Sequence, residues 1–194
     1  MPQQKLYPQQ FGITKCVSMS ISRPREIPIE ELKYVLEKVE ISDSLRINFH
    51  NPARFECGFT RFRVDNLEIK EAFWITNETF LAMDCKRIEL SRNGKLPIQE
   101  FVTQWLSSRN NRFEYFRISS SGADWTGING NQWDPTVRGR YYRMGIRKID
   151  CSEGIDIVRE DGLVATVIKA FGRNYFLVWH RRFQPECDLY QFDT

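Results

Sequence analysis

The sequence predicts an α/β fold: a short, irregular leucine-rich-repeat-like stack of parallel strands and helices, followed by a C-terminal antiparallel β-meander. Three observations lead to this prediction. Apolar strand patterns begin near residues 17, 45, 66, 87 and 114, a spacing of about 20–30 residues that is typical of repeated α/β units. Amphipathic helix patterns lie between some of these strands. Beyond residue 120 the chain instead alternates short strands with turns.

Size and composition are those of one globular domain. The chain has 194 residues, of which 41% are hydrophobic and 27% are charged. We expect a single domain over 1–194, with the repeat-like stack at 10–119 and a loop plus β-meander cap at 120–183. The sequence contains neither an apolar run of the ~20 residues that span a bilayer nor a signal-peptide pattern. We therefore expect no membrane partner and a cytoplasmic or nuclear location.

Five segments of the predicted stack alternate apolar and polar residues with the period of a strand. They are 16–22, 45–49, 64–69, 86–90 and 113–118. Pro28 and Pro97 each begin a segment with apolar residues on one helical face, and Thr76 or Asn77 can cap a short helix. Because a strand, a helix and a returning strand favour a right-handed crossover, parallel pairing is expected.

The C-terminal segment has the signals of an antiparallel meander. Asp161-Gly162 separates the strand patterns 155–159 and 164–168, which predicts a hairpin. A second turn at Gly172 leads into the apolar strand 175–179. Residues 142–149 are predicted to form one further strand.

The cysteines and histidines exclude several classes of site. The five cysteines include no pair at metal-binding spacing, which argues against zinc and against a disulfide framework. His50 and His180 are the only histidines, and no nucleotide-binding or metalloprotease motif is present. We therefore expect a non-catalytic protein without a metal or a cofactor.

Two neighbouring features are candidates for binding. Tryptophans in a segment rich in glycine and asparagine are typical of recognition sites, although burial in the core is the structural alternative. The next segment is basic and interleaved with tyrosines, and Arg138 and Arg140 would share one face of a strand. An acidic or phosphorylated peptide fits such a face, a single-stranded nucleic acid fits it too, and a solvated edge strand is the structural alternative. The candidate residues are Trp125, Trp133, Arg138, Arg140, Tyr141 and Tyr142.

Two stretches of the sequence resemble one family. Residues 80–88 (FLAMDCKRI) and 112–116 (RFEYF), with the Trp105 helix between them, are similar to the type 2 F-box-associated domain of nematode F-box proteins. Residues 154–162 (GIDIVREDG) and 165–167 (ATV) are similar to the G-I-D-I-x-R-x-D-G-x-x-A-T signature of that family. The resemblance covers residues 10–182.

The resemblance implies the substrate-recognition part of an SCF-type ubiquitin ligase, in which an N-terminal F-box binds Skp1. Here no F-box pattern precedes the domain, and Leu96-Pro97 begins a core helix instead. We therefore expect the chain to bind a target protein, and to reach Skp1 or a cullin only if an F-box is supplied elsewhere. A basic nucleic-acid-binding module of the same fold is the alternative function, and a small hydrolase whose site the sequence does not reveal is a third.

Overall fold

The chain divides into two compact units, Met1–Asn93 and Gly94–Thr194. A computed structural model describes residues 8–23, 28–49, 55–93, 96–119 and 127–180. Both units contain helices and strands, so the predicted mixed α/β class is confirmed. None of the helices in these ranges reaches the length and hydrophobicity that a bilayer span requires.

Four parallel strands form the sheet of the first unit. They lie in the order β1-β2-β3-β4, and each neighbouring pair is parallel, which confirms the predicted pairing. The leucine-rich-repeat-like regularity is not confirmed, because the described residues 55–64 between β2 and β3 contain no helix. The strands are β1 (Lys15–Arg23), β2 (Glu40–Phe49), β3 (Asn66–Ile69) and β4 (Arg87–Ser91).

Two rows of apolar side chains fix the register of β2, β3 and β4. The rows are Leu45–Leu67–Ile88 and Ile47–Ile69–Leu90. Each of these side chains is at most 3% exposed. If one of these strands shifted by one residue, its two apolar side chains would point away from the core. Burial of these side chains therefore determines the register of the pairing.

The two α-helices in the described part of this unit begin where the sequence predicts. Pro28 precedes α1 (Ile29–Lys38), which buries Leu32 and Val35. Thr76 caps α2 (Asn77–Leu81), because its hydroxyl accepts a hydrogen bond from the main-chain N–H of Thr79 at 3.1 Å.

The second unit is built on an antiparallel sheet with the order β5-β11-β10-β9-β6, and β7 and β8 form a separate hairpin. One helix, α3 (Ile98–Ser107), precedes the described strands. The predicted meander is confirmed as β9, β10 and β11. The strands are β5 (Tyr115–Ser119), β6 (Asn131–Gln132), β7 (Tyr141–Met144), β8 (Arg147–Asp150), β9 (Ile155–Val158), β10 (Val164–Ala170) and β11 (Arg173–Trp179).

The structure differs from the sequence prediction at two places in this unit. The single strand predicted over 142–149 is wrong, because β7 and β8 are separated by a two-residue turn at Gly145 and Ile146. Gly145 has φ +60° at the first turn position, which glycine adopts readily and which a type II′ hairpin requires. The antiparallel pairing of β5 with β11 was not predicted, because nothing local to 113–118 indicates a partner almost sixty residues later.

The sheet of the second unit is covered on both faces. On one face Phe176 of β11 lies with its ring centroid 5.1 Å from Trp105 and 5.6 Å from Phe101, both on α3. On the other face the ring of Tyr142, in β7, lies 5.2 Å from Trp179. Because successive residues of a strand point to opposite faces, β11 packs against α3 with one set of side chains and against the β7–β8 hairpin with the other.

The predicted turn at Asp161-Gly162 is confirmed and joins β9 to β10. Arg159, which is 3% exposed, donates from Nε to Asp161 Oδ1 at 2.9 Å and from Nη2 to Oδ2 at 2.7 Å. The guanidinium of Arg159 also lies 5.0 Å from the ring centroid of Trp105. The ion pair therefore links the turn to α3.

The ion pair in this turn should make folding stability depend on acid pH. Hydrogen bonding from Arg159 lowers the pKa of Asp161 from 3.8 to about 2. A carboxylate whose pKa is lower in the folded state stabilises the fold above the unfolded value, and this contribution is lost as the pH falls through the folded value. We expect Asp161→Asn to lower the free energy of unfolding at pH 6, with a difference from the native chain that shrinks between about pH 4 and pH 2. Urea denaturation of both proteins between pH 6 and pH 2 measures this difference in the free energy of unfolding. A difference that does not change with pH would contradict a stabilising ion pair between Arg159 and Asp161.

Gly154 occupies a position that admits no side chain. A Cβ atom there would collide with Cγ2 of Thr166 and lie 3.2 Å from the carbonyl oxygens of Cys151 and Val167. Thr166 is fully buried, so it has little room to move. We expect Gly154→Ala to lower the free energy of unfolding by about 1–3 kcal/mol, as overpacking does.

Gly58 provides the matched control for this substitution. A Cβ atom at Gly58 meets nothing within 4 Å, so Gly58→Ala should change the free energy of unfolding by no more than about 0.5 kcal/mol. Chemical denaturation of both variants measures the contrast. Equal effects of the two substitutions would show that close packing at Gly154 is not the cause.

Candidate functional site

A buried arginine fastens the segment before β7 to the main sheet. Arg138 is 1% exposed, and its Nε donates hydrogen bonds to both carboxylate oxygens of Asp156, each at 2.8 Å. Its Nη1 and Nη2 donate to the main-chain carbonyls of Gly139 and Cys151, each at 2.9 Å. All three guanidinium nitrogens of Arg138 are thus bonded inside the unit.

The carboxylate of Asp156 belongs to a closed circuit of contacts. The hydroxyl of Thr166 donates to Asp156 Oδ1 at 2.6 Å, and Nε1 of Trp179 donates to the Thr166 hydroxyl at 2.7 Å. The guanidinium carbon of Arg138 lies 4.7 Å from the ring centroid of Trp179, which completes the circuit with a cation–π contact. A buried charge pair is tolerated when its hydrogen bonds are satisfied in this way, so the network has a structural role.

Several predicted binding residues support the hairpin from within. The half-buried Trp133 donates its indole N–H to the carbonyl of Arg138 at 3.3 Å, and Tyr142 is fully buried. The prediction that Arg138 and Arg140 share one face of a strand is wrong, because both precede β7 and only Arg140 is exposed. Trp125 lies outside the described residues.

Arg140 and Tyr141 are the predicted residues that the structure places at the surface. The side chain of Arg140 is 50% exposed, and its Nη2 lies 2.7 Å from Asp150 Oδ2. The same guanidinium is 5.4 Å from the ring centroid of Tyr141. Hydrogen bonding from Arg140 holds the pKa of Asp150 below its usual range, so this pair stays charged at neutral pH.

The outer face of the β7–β8 hairpin consists of Tyr141, Arg143, Lys148 and Asp150. Strand register places Tyr141 opposite Asp150 and Arg143 opposite Lys148, while Tyr142 and Ile149 point into the core. Like charges directly opposite each other on one face of a sheet are unfavourable. The outer face therefore places the Arg143 and Lys148 cations side by side, next to the ring of Tyr141. Ile146, at the tip, is fully exposed.

Sequence reasoning missed the partner of Arg138. The signal was available: Asp156 is a lone aspartate in an otherwise apolar strand, and it stands opposite Thr166 in the hairpin. A carboxylate in that position requires hydrogen-bond donors once it is buried. Besides the Thr166 hydroxyl, the donor is Arg138, 18 residues earlier in the chain, which the local pattern does not identify.

The cysteine and histidine side chains that nucleophilic catalysis would need are not arranged as a catalytic site in the described residues. Burial raises the pKa of the Cys151 thiol to about 12, so this cysteine is not a thiolate near neutral pH. His180 is half-buried directly after β11, and His50 lies outside the described residues. In the described ranges, no three histidine, cysteine, aspartate or glutamate side chains are grouped closely enough to hold a metal ion. That the protein is not an enzyme stays a prediction.

The residues that carry the predicted family signature have structural partners. Gly154 makes room for Thr166, Asp156 binds Arg138, Arg159 binds Asp161, and Gly162 adopts φ +82° in the turn. The signature thus specifies how β9 and β10 fold and attach to their neighbours. Most of its residues are buried.

Comparison with known proteins identifies relatives of the chain. A family model described as F-box associated matches residues 59–118. Uncharacterized protein F59B2.8 of Caenorhabditis elegans is 30% identical over 139 residues, which is 63% of this chain and 32% of the relative. Uncharacterized protein F59B2.9 of the same organism is 28% identical over 190 residues, which is 90% of this chain and 44% of the relative. No solved structure matches.

The chain spans less than half the length of each of these two relatives. The family match covers β3, α2, β4, α3 and β5 except its last residue, and it includes the first of the two stretches that predicted the resemblance. The resemblance to F-box-associated proteins of nematodes is therefore confirmed, and residues 59–118 carry the sequence pattern of that family.

Proposed function

We propose that the chain is a non-catalytic protein-recognition module that selects targets for an SCF-type ubiquitin ligase. Its F-box-associated sequence supports this proposal. The F-box that binds Skp1 would be supplied elsewhere, and the greater length of the relatives leaves room for such a segment. In this proposal the parallel layer of the first unit is an irregular, repeat-like scaffold.

The outer face of the β7–β8 hairpin is the surface that we assign to target binding. The observation that carries this assignment is the direct opposition of Arg143 and Lys148, both exposed, on one face of the hairpin, since two neighbouring cations attract a ligand with negative charge. The buried hydrogen bonds of Arg138 to Asp156 and Cys151 anchor the segments on either side of the hairpin, and a surface ordered before binding reduces the entropy that binding costs. The target class is a protein segment rich in acidic or phosphorylated residues.

The exposed apolar and aromatic groups give this surface selectivity beyond charge. Tyr141 is 47% exposed beside the two cations, and Ile146 projects from the tip. A single-stranded nucleic acid would place its phosphate groups against Arg143 and Lys148 and stack a base on Tyr141. A peptide would instead bury an apolar side chain against Ile146, which favours the protein target.

The hairpin assignment is tested with fluorescein-labelled acidic peptides, with and without phosphoserine, by fluorescence polarisation. We expect the double variant Arg143→Glu/Lys148→Glu to weaken binding by about tenfold or more, because each lost charge-assisted hydrogen bond is worth about 1.5–3 kcal/mol. The control Arg109→Glu/Lys169→Glu has the same net charge and changes exposed residues of the same unit. Equal losses in the two variants would refute the assignment, as would exclusive binding of single-stranded RNA.

The ligase role is tested by reconstitution. The chain with an F-box fused ahead of Met1 is assembled with Skp1, a cullin and a RING subunit. Supplied with ubiquitin, ATP and the E1 and E2 enzymes, this complex should direct ubiquitin from the E2 thioester to a lysine of a reporter that carries the acidic peptide. The chain without the fused F-box should not bind Skp1 in a pull-down. Direct binding of Skp1 by the unfused chain, or no transfer to a reporter that binds, would count against this role.

A further inference from the structure

The first unit contains a cleft that the proposed target surface does not use. It has a volume of about 380 Å³ and lies between the end of α1, the start of β2 and the segment 60–64, a volume near the lower limit of small-ligand sites. Its buried apolar lining comes from Val35, Val39, Ile41, Leu45, Phe62 and Val64. Polar side chains at its exposed rim include Arg61 and Arg63.

The segment 60–64 has the side-chain alternation of an extended strand. Thr60, Phe62 and Val64 are buried, whereas Arg61 and Arg63 are exposed. The main chain makes bonds on both sides of this segment. The carbonyl of Phe62 accepts a hydrogen bond from the N–H of Asp84 at 2.9 Å, and the N–H of Asp65 donates to the carbonyl of Ser42, in β2, at 3.3 Å.

These two bonds indicate where the remaining main-chain groups point. In an extended chain, the N–H and C=O of successive residues point to alternate sides. Phe62 is bonded on the Asp84 side and Asp65 on the β2 side, so the N–H and C=O groups of Arg61 and Arg63 point towards β2. The cleft lies on that side. Within the described ranges, these main-chain groups and both guanidinium groups have no hydrogen-bond or ion-pair partner.

The charges around the cleft are not balanced. Glu40 is the acidic residue among those that line it, and its carboxylate already lies 3.2 Å from Nζ of Lys15. Arg61 and Arg63 therefore give the rim a positive charge. An arginine side chain binds a carboxylate through two parallel hydrogen bonds, so a ligand with carboxylates spaced along an extended chain matches this rim.

We infer that this cleft binds a short extended peptide segment in which apolar side chains alternate with carboxylates. The peptide lies beside residues 60–64 and exchanges main-chain hydrogen bonds with Arg61 and Arg63, as in β-augmentation. Its apolar side chains enter the pocket over Phe62 and Val64, and its carboxylates bind the two guanidinium groups. This second site does not depend on the β7–β8 hairpin or on the ligase role.

The experiment uses the full chain and an acetylated five-residue peptide of alternating aspartate and leucine. We expect the peptide to bind in a calorimetric titration and to slow hydrogen exchange of the Arg61 and Arg63 amides, measured by NMR, by about tenfold at saturation. The variant Arg61→Glu/Arg63→Glu should weaken binding by about tenfold or more. Because both residues are exposed, this variant should remain folded, which its unfolding curve verifies.

Two matched controls make the result specific. The variant Arg143→Glu/Lys148→Glu has the same net charge as Arg61→Glu/Arg63→Glu but changes only the basic surface of the hairpin, so in this variant the peptide should still slow exchange of the Arg61 and Arg63 amides as it does in the native chain. A peptide of alternating lysine and leucine should not bind. Absence of binding by the aspartate peptide, binding without slower exchange at Arg61 and Arg63, or equal binding of the two peptides would each overturn the inference.

Discussion

The buried ion pair between Arg138 and Asp156 is the interaction on which the second unit depends. It connects β9, in the main sheet, to the segment that leads into the β7–β8 hairpin, and it also contacts Trp179 of β11. Removing one partner would leave the other charge buried without compensation, which is far more costly than never having had the pair. The position of the hairpin is therefore set by a polar contact as well as by the apolar packing of Tyr142.

This arrangement separates the residues that determine the fold from those available for recognition. On β7 and β8, alternate residues point either to the core or to solvent, so Tyr142 and Ile149 are buried while Arg143 and Lys148 are exposed. The same division holds in the segment 60–64, where Phe62 is buried and its arginine neighbours are exposed. In both places the exposed residues are cations, and their neighbours in the strand or segment are buried in the core.

Local patterns predicted the elements of the fold well. The strands β1 to β4, the helix capped by Thr76 and the turn at Asp161-Gly162 each depend on contacts between residues that are close in sequence, or on a periodicity visible in one segment. The antiparallel partner of β5 and the burial of Arg138 depend on residues far along the chain. For the same reason the basic run was predicted as one surface, whereas the structure divides it between the core and the outer face of the hairpin. The cleft beside residues 60–64 was not predicted, because its walls come from two stretches, 35–45 and 60–64, that are separated in the sequence.

The circuit formed by Arg138, Asp156, Thr166 and Trp179 has an evolutionary consequence. An exchange of the two charges between positions 138 and 156 would place a carboxylate over the electron-rich face of the indole, where a cation is favoured. Losing one charge at a time would pass through a destabilised intermediate. A change at position 138 or 156 is therefore tolerated only when both residues are replaced together, or after a compensating gain in stability elsewhere.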